Sequence, residues 1–245
     1  MHPGVAQADD GTILVVWSDD AGSARITWSE DDARTWREPV HGPPCVVAHA
    51  ISSGARLGFY CTGLGPFAST EVISFMPVDV RNATVGAAVR VGEADGTCWA
   101  QRMTAAVSGA LLTARFCNTL TLVRSVDGGA TWVAWGDRAF ADGLPQGATI
   151  SRARIGATPL GQPLVGVEWF LADQVQAGQV RPCCSHVDLV SWSLNGTVRP
   201  VQTLFVQETL DGAAWLDDVA TGADRVWIEA SRGYAPGVGW AIDVA

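Results

Sequence analysis

Apolar and polar residues alternate in short runs along this chain, and the runs recur in a fixed order. Five segments share one form: an apolar run, a short polar turn containing glycine, then a second β-rich run. The turns fall at Gly11 (followed by ILVVW), Gly54 (ARLGFYC), Gly109 (ALLTARFC), Gly161 (QPLVGVEW) and Gly222 (ADRVWIEA). Alternation with a period of two puts successive side chains on opposite faces of a half-buried strand, and a glycine between two such runs supplies the positive φ of a tight hairpin turn. A third β-rich run follows each hairpin, starting at Ala24, Glu71, Leu120, Asp188 and Gly237. A fourth run is read after the first four of these, as VHGPP, GAAVRV, VAWGDRAF and VQTLFV, and none after the fifth. The fourth repeat alone carries a long insertion, about Leu171 to His186. Helical periodicity is absent throughout.

Four antiparallel strands recurring every 43 to 61 residues match the blades of a β-propeller, in which each sheet buries its faces against its neighbours. The expectation is therefore an all-β chain, a single propeller domain over residues 1–245 with about five blades, six being the alternative.

Charge narrows the partners. Sixteen basic residues, all arginine, against 25 acidic ones give a net charge of −9, so the average surface repels a phosphate backbone and nucleic acid is excluded as a first choice. With 48 % hydrophobic and 17 % charged residues the chain has the composition of a folded body. The longest apolar run, Ile13 to Trp17, is far too short to span a bilayer, and no basic-then-apolar leader is read at the start.

Two third runs continue into a tighter pattern. Ser125-Val-Asp127-Gly-Gly129-Ala-Thr131-Trp132 is a complete Ser-x-Asp-x-Gly-x-Thr-Trp, and Ser29-Glu-Asp31-Asp-Ala33-Arg-Thr35-Trp36 matches it with alanine in place of the glycine. This resembles the Asp box, or BNR repeat, of the sialidase-like propellers. In such a turn the carboxylate accepts hydrogen bonds from turn amides, glycine permits the left-handed residue and tryptophan packs into the blade. Ser193-Leu-Asn195-Gly196 reads as a third copy and Ser74 to Asp79 as a fourth, weaker one. Boxes of this kind lie on the outer edge of a blade, so they point to fold and not to catalysis.

The resemblance also implies what an enzyme of the family would carry. The Arg-Ile-Pro start of its first blade is missing here, where His2-Pro3-Gly4-Val5 stands instead. Asp20, in the loop Ser18-Asp19-Asp20-Ala21-Gly22, sits where the acid/base aspartate would lie, or is a solvated turn residue. Arg102 and Arg154 could hold a substrate carboxylate through their planar forks, or pair internally with Asp217 or Asp218. Tyr234, with Glu229 or Glu168, occupies the place of the nucleophile, or is a loop anchor. A complete set does not assemble. Three carboxylates from Asp9 or Asp10, Glu168 and Asp217 would suit a five-bladed glycosidase of another type, and Trp99 and Trp215 on first strands are candidates for stacking on sugar rings.

Six cysteines add a constraint. Cys45 with Cys61 and Cys98 with Cys117 bracket the turn glycines Gly54 and Gly109, which would set each pair across a hairpin at disulfide distance; small buried residues are the alternative. Cys183 and Cys184 are adjacent within the insertion. No metal-ligand spacing is present, the four histidines (His2, His41, His49, His186) form no cluster, and no cofactor or metal is expected.

Together these readings give a non-catalytic binding or structural propeller recognising a surface glycan or a neighbouring protein, alone, as an oligomer or as part of a larger assembly; disulfides without a leader, joined to the resemblance to the Asp-box propellers of phage surface proteins, imply a phage tail, virion or other extracellular surface. The rival is a glycoside hydrolase of sialidase type; a cytoplasmic module with free thiols is a third reading.

Overall fold

The computed structural model describes residues 3–45, 47–62, 74–91, 99–105, 109–117, 119–140, 144, 148–158, 160–171, 175–176, 179–180, 183–207, 214–221, 225–232 and 235–243. Every regular element among them is a β-strand. The first sheet is β1 (Gly4–Gln7), β2 (Ile13–Ser18), β3 (Ser23–Ser29) and β4 (Val40–Pro44), in chain order. The second holds β5 (Val47–Ser53), β6 (Arg56–Thr62), β7 (Ser74–Asp79) and two short strands that both pair with β7, β8 (Thr84–Val85) and β9 (Val89–Arg90). The third comprises β10 (Trp99–Ala105), β11 (Leu111–Cys117), β12 (Thr119–Ser125) and β13 (Val133–Ala139). In the fourth, β14 (Ala148–Ala157) and β15 (Pro163–Leu171) are followed by a separate hairpin, β16 (Val175–Gln176) with β17 (Gln179–Val180), before β18 (Cys183–Ser191) and β19 (Gln202–Gln207) complete the sheet. The fifth has three strands, β20 (Ala214–Thr221), β21 (Arg225–Arg232) and β22 (Ala235–Asp243).

These sheets are the predicted repeats. Gly11, Gly54, Gly109 and Gly161 all adopt positive φ, between 62° and 88°, at the turns that join the first two strands of their sheets, where a residue with a Cβ would be strained.

The chain divides into two compact units, residues 1–115 with 123–133 and residues 116–122 with 134–245. In the first unit, Leu14, Val16, Ala24, Ile26 and Trp28 fill alternate positions of β2 and β3 and meet Leu57, Phe59, Met76 and Val78 in one apolar cluster. Across the second sheet a further cluster gathers Ile51, Tyr60, Phe75, Val91 and Leu111, with Trp132 packed against it. In the second unit, Leu164, Val187 and Leu189 of the fourth sheet pack on Leu216 and Ile228 of the fifth.

Several details differ from the sequence reading. Cys45 and Cys61 do form a disulfide, with Cα atoms 5.4 Å apart, but they are not directly opposed: Cys61 pairs with Ala48, and Cys45 precedes β5. The reason is that Ser53 and Arg56 flank a two-residue turn, so Gly54 is not at the centre of the hairpin. Cys98 lies outside the described residues, and Cys117 closes β11. Cys183 belongs to a strand, opposite Leu171, so the insertion is shorter than expected and folds partly as the β16–β17 hairpin. The run GAAVRV contributes only the two residues of β9.

Candidate functional site

Both complete Ser-x-Asp turns close in the same way. Ser125 Oγ donates to Asp127 Oδ1 at 2.7 Å and accepts from the Gly129 amide at 2.8 Å. The Asp127 carboxylate accepts from the Thr131 amide at 2.9 Å and the Thr131 hydroxyl at 2.6 Å. Ser29, Asp31, Ala33 and Thr35 repeat the pattern, with Thr35 Oγ1 2.6 Å from Asp31 Oδ2. Hydrogen bonds that favour the charged form hold both carboxyls below their ordinary range, the threonine hydroxyl being the largest cause in each. Ser193 and Asn195 form a reduced version, in which Asn195 Oδ1 accepts from the Thr197 amide at 3.2 Å. The Ser74–Asp79 copy is not of this kind. Ser74 starts β7 opposite Cys61, while Asp79 stands alone at its end and accepts from the amides of Arg81 and Asn82 at 3.0 and 3.2 Å.

Two of these turns, those of Ser125 and Ser193, join neighbouring sheets. Phe75 of β7 lies where a side chain on Gly129 would be, and the Arg56 guanidinium covers Gly128 in the same manner. Trp132 donates to the Gly129 carbonyl at 3.0 Å and meets the Phe75 ring edge-on at 6.2 Å. In the second unit, a Cβ on Gly136 would stand 2.5 Å from the Gly196 carbonyl oxygen, and Trp192 donates to the Asp137 carbonyl at 2.8 Å. Trp36, expected to pack as Trp132 does, is 45 % exposed; its turn carries Asp32 and Ala33 in place of the two glycines, and no ring contact to Trp36 occurs among the described residues.

At the turn end of the second sheet the first unit opens into a cleft of about 300 Å³. Its lining combines the β1–β2 turn (Asp10), the start of β6 (Arg56, Leu57) and the end of β7 with the turn beyond (Val78, Asp79, Arg81). Leu57 and Val78 are a buried cross-strand pair. Asp10 accepts from the Thr12 amide at 3.0 Å, the main cause of its lowered pKa, and Asp79 is lowered first by Asn82, whose side-chain amide donates to it at 2.8 Å. The Arg81 charge pulls both in the same direction. Arg56 makes no ion pair among the described residues.

The sequence-derived candidates lie on several sheets. Asp20 is exposed at the tip of the β2–β3 turn. Its neighbour Asp19 organises that turn, accepting from the amides of Ala21 and Ser23 and from Arg25 Nε at 2.8 Å; the Ser23 amide is the main cause of its lowered pKa. Arg25 in turn contacts His41. Trp99 and Arg102 lie on β10, the first strand of its sheet, and Trp215 and Asp217 on β20, the first strand of another. Asp217 is the extra residue where the β20–β21 register shifts between Leu216 and Asp218. Glu229 lies on β21, and Tyr234 is outside the described residues.

Arg154 and Glu168 share one face of the fourth sheet, since Arg152 pairs with Glu168 and Arg154 with Gly166. Arg154 donates to the Ala153 carbonyl at 3.2 Å. Glu168 is 3 % exposed, and its carboxylate accepts from the Leu216 amide at 2.6 Å, at the register shift of β20. On the opposite face Trp169 donates to Asp188 Oδ2 at 2.7 Å and stacks on His186 at 3.8 Å. Asp188 is buried, and its second oxygen has no hydrogen-bond partner among the described residues. Neither the Glu168–Leu216 bond nor the Asp188 group could be found from sequence spacing, because each joins residues whose proximity depends on strand register. Among the described residues no group of metal-ligating side chains occurs, and no helix is long and apolar enough to cross a membrane.

No family model matches this chain, and no curated protein matches it in sequence. Solved structures do match it in fold. The polysaccharide lyase Uly1 superposes with a TM-score of 0.60 at 10 % identity, over 99 % of this chain and 68 % of the lyase. A fungal lectin from Aleuria aurantia, described as a six-bladed β-propeller that recognises fucose, gives 0.52 at 14 % identity, over 98 % and 74 %. The leech intramolecular trans-sialidase gives 0.50 at 11 % identity, covering 99 % of this chain and 61 % of the enzyme. The chain thus spans about two thirds of the length of such proteins. The likeness establishes an all-β fold of the propeller class, shared with lectins, sialidases and polysaccharide lyases.

Proposed function

We propose that this chain is a non-catalytic, glycan-recognising propeller, displayed on a virion or another extracellular particle. One observation carries the binding reading over the catalytic one. Two of the carboxylates that the sequence offers for acid/base work have other settings: Asp20 is exposed at a hairpin tip, and Glu168 is buried with an amide of the next sheet as its partner. A glycosidase needs two carboxyl groups flanking one sugar, and neither a solvated turn residue nor a buried carboxylate bonded to a backbone amide is set for that task. The fold's occurrence in lectins and in carbohydrate-active enzymes supports a glycan as ligand. The Cys45–Cys61 disulfide supports an oxidising location. The Ser-x-Asp turns, read as Asp boxes, serve as inter-sheet fasteners in this account.

The test is a glycan array probed with the folded protein, run beside hydrolysis of a fluorogenic sialoside. Binding without turnover is the expected result. Turnover that disappears in both Asp20→Ala and Tyr234→Phe would replace this reading with a sialidase-type hydrolase.

A further inference from the structure

We propose that the cleft at the turn end of the second sheet is a binding site for a sugar acid, with Arg56 receiving the carboxylate and Asp79 and Asp10 accepting sugar hydroxyls. The proposal rests on the glycan-binding reading above and names both the place and the ligand class.

Arg56 is the reason for the carboxylate. Its guanidinium lies over Gly128, in the space that any side chain at that position would fill, and Gly128 has a positive φ of 75°. The fork thus lies at the turn, and no acidic side chain among the described residues forms an ion pair with it. An exposed fork of five donors matches a carboxylate bidentately.

The two aspartates decide against a bare anion. Asp10 and Asp79 accept turn amides through their Oδ1 atoms, and Asp79 Oδ2 also accepts from the Asn82 side chain at 2.8 Å, which leaves acceptor capacity on each Oδ2 for a further donor. Hydrogen bonding keeps both ionised at neutral pH. With Arg56 and Arg81 the cleft holds two positive and two negative side chains, so an inorganic anion gains little net attraction. A ligand that presents a carboxylate beside hydroxyl donors can use all of these groups. Ala55 and Pro77, both exposed, add an apolar element beside them, as suits the carbon face of a sugar ring. A volume of about 300 Å³ is at the low end for small-molecule clefts, roughly 300–1,000 Å³, which fits one terminal residue better than an extended chain.

Calorimetric titration of the folded protein with methyl glucuronoside, methyl glucoside, glutarate and sulfate tests the idea. Methyl glucuronoside should bind, and each of the other three should bind at least about tenfold more weakly, the loss expected for removing a charge-assisted hydrogen-bond set. Arg56→Gln should cost glucuronoside binding about tenfold or more and leave the glucoside unchanged; Arg81→Gln should reduce it less. Both positions are exposed, and an unchanged melting temperature will show that the variants fold. Glucuronoside affinity that survives Arg56→Gln, equal binding of glutarate or sulfate, or no glucuronoside binding by folded protein would overturn the site. If array glycans still bind in that case, glycan recognition stands and lies elsewhere on the chain; a blank array as well would end both readings.

Discussion

The Phe75 ring occupies the volume that a side chain on Gly129 would need. The glycine of the complete Ser-x-Asp turn therefore answers two demands at once: a backbone φ of 93° and contact with an aromatic ring of the preceding sheet. Gly129→Ala should cost about 1–2 kcal/mol for the left-handed backbone and roughly 1–3 kcal/mol more for overpacking. Urea denaturation will show it as a lower midpoint, and Phe75→Leu in the same background should recover part of the loss.

The first-sheet turn predicts the opposite sign. Ala33 holds a φ of 64° with a Cβ present, and Ala33→Gly relieves about 1–2 kcal/mol of that cost while adding about 0.4–1 kcal/mol of unfolded-chain entropy. The net expectation is a small stabilisation. A midpoint shifted downward in the same urea experiment would mean that the alanine methyl makes a contact outweighing the strain.

Acid should loosen both turns. Asp31 and Asp127 have folded pKa values below the ordinary 3.8, so their contribution is fully present above the unfolded value and is lost as pH falls below about 4 through the folded pKa. Stability measured between pH 5 and pH 2 should decline, and Asp127→Asn should flatten that decline while lowering the plateau at neutral pH. An unchanged acid limb in the variant would show that these carboxylates are not what acid titrates.

Glu168 is expected to act through the fold. Glu168→Ala leaves the Leu216 amide buried without its acceptor, a loss of about 1–3 kcal/mol, whereas Glu168→Gln retains an acceptor oxygen and should lose less. Equal thermal shifts in the two variants would argue against the hydrogen bond as the source.

Reduction of the Cys45–Cys61 bridge opens a loop of sequence separation 16, for which loop entropy predicts about 3 kcal/mol. A lower melting temperature with reductant, absent in a Cys45→Ala/Cys61→Ala variant, is the expected pattern.

What the sequence revealed and what it withheld divide along a physical line. Gly11, Gly54, Gly109 and Gly161 were legible because a hairpin turn is a local event, and Ser125 with Asp127 because a turn carboxylate finds its amides within four residues. The disulfide was legible as a pair and wrong in register, since one residue's displacement of a turn moves every cross-strand partner. The Arg56–Gly128 contact, the Glu168–Leu216 bond and the cleft were not legible, because each joins separate sheets and depends on how faces pack. Trp36 and Trp132 show the limit from the other side: two turns that close with the same hydrogen bonds leave one indole 45 % exposed and the other against Phe75.

The close approach of Gly136 and Gly196 bears on solubility. β13 is the last strand of its sheet and mostly exposed, so its outer row of amides and carbonyls is a template for pairing with another molecule. Asp137 offers its amide to the Gly196 carbonyl at 2.7 Å and its carbonyl to the Trp192 indole at 2.8 Å, which covers that row at its middle. A side chain at residue 136 would lift the cover, and the expected phenotype is then self-association into fibrous or amorphous deposits before any loss of the folded core.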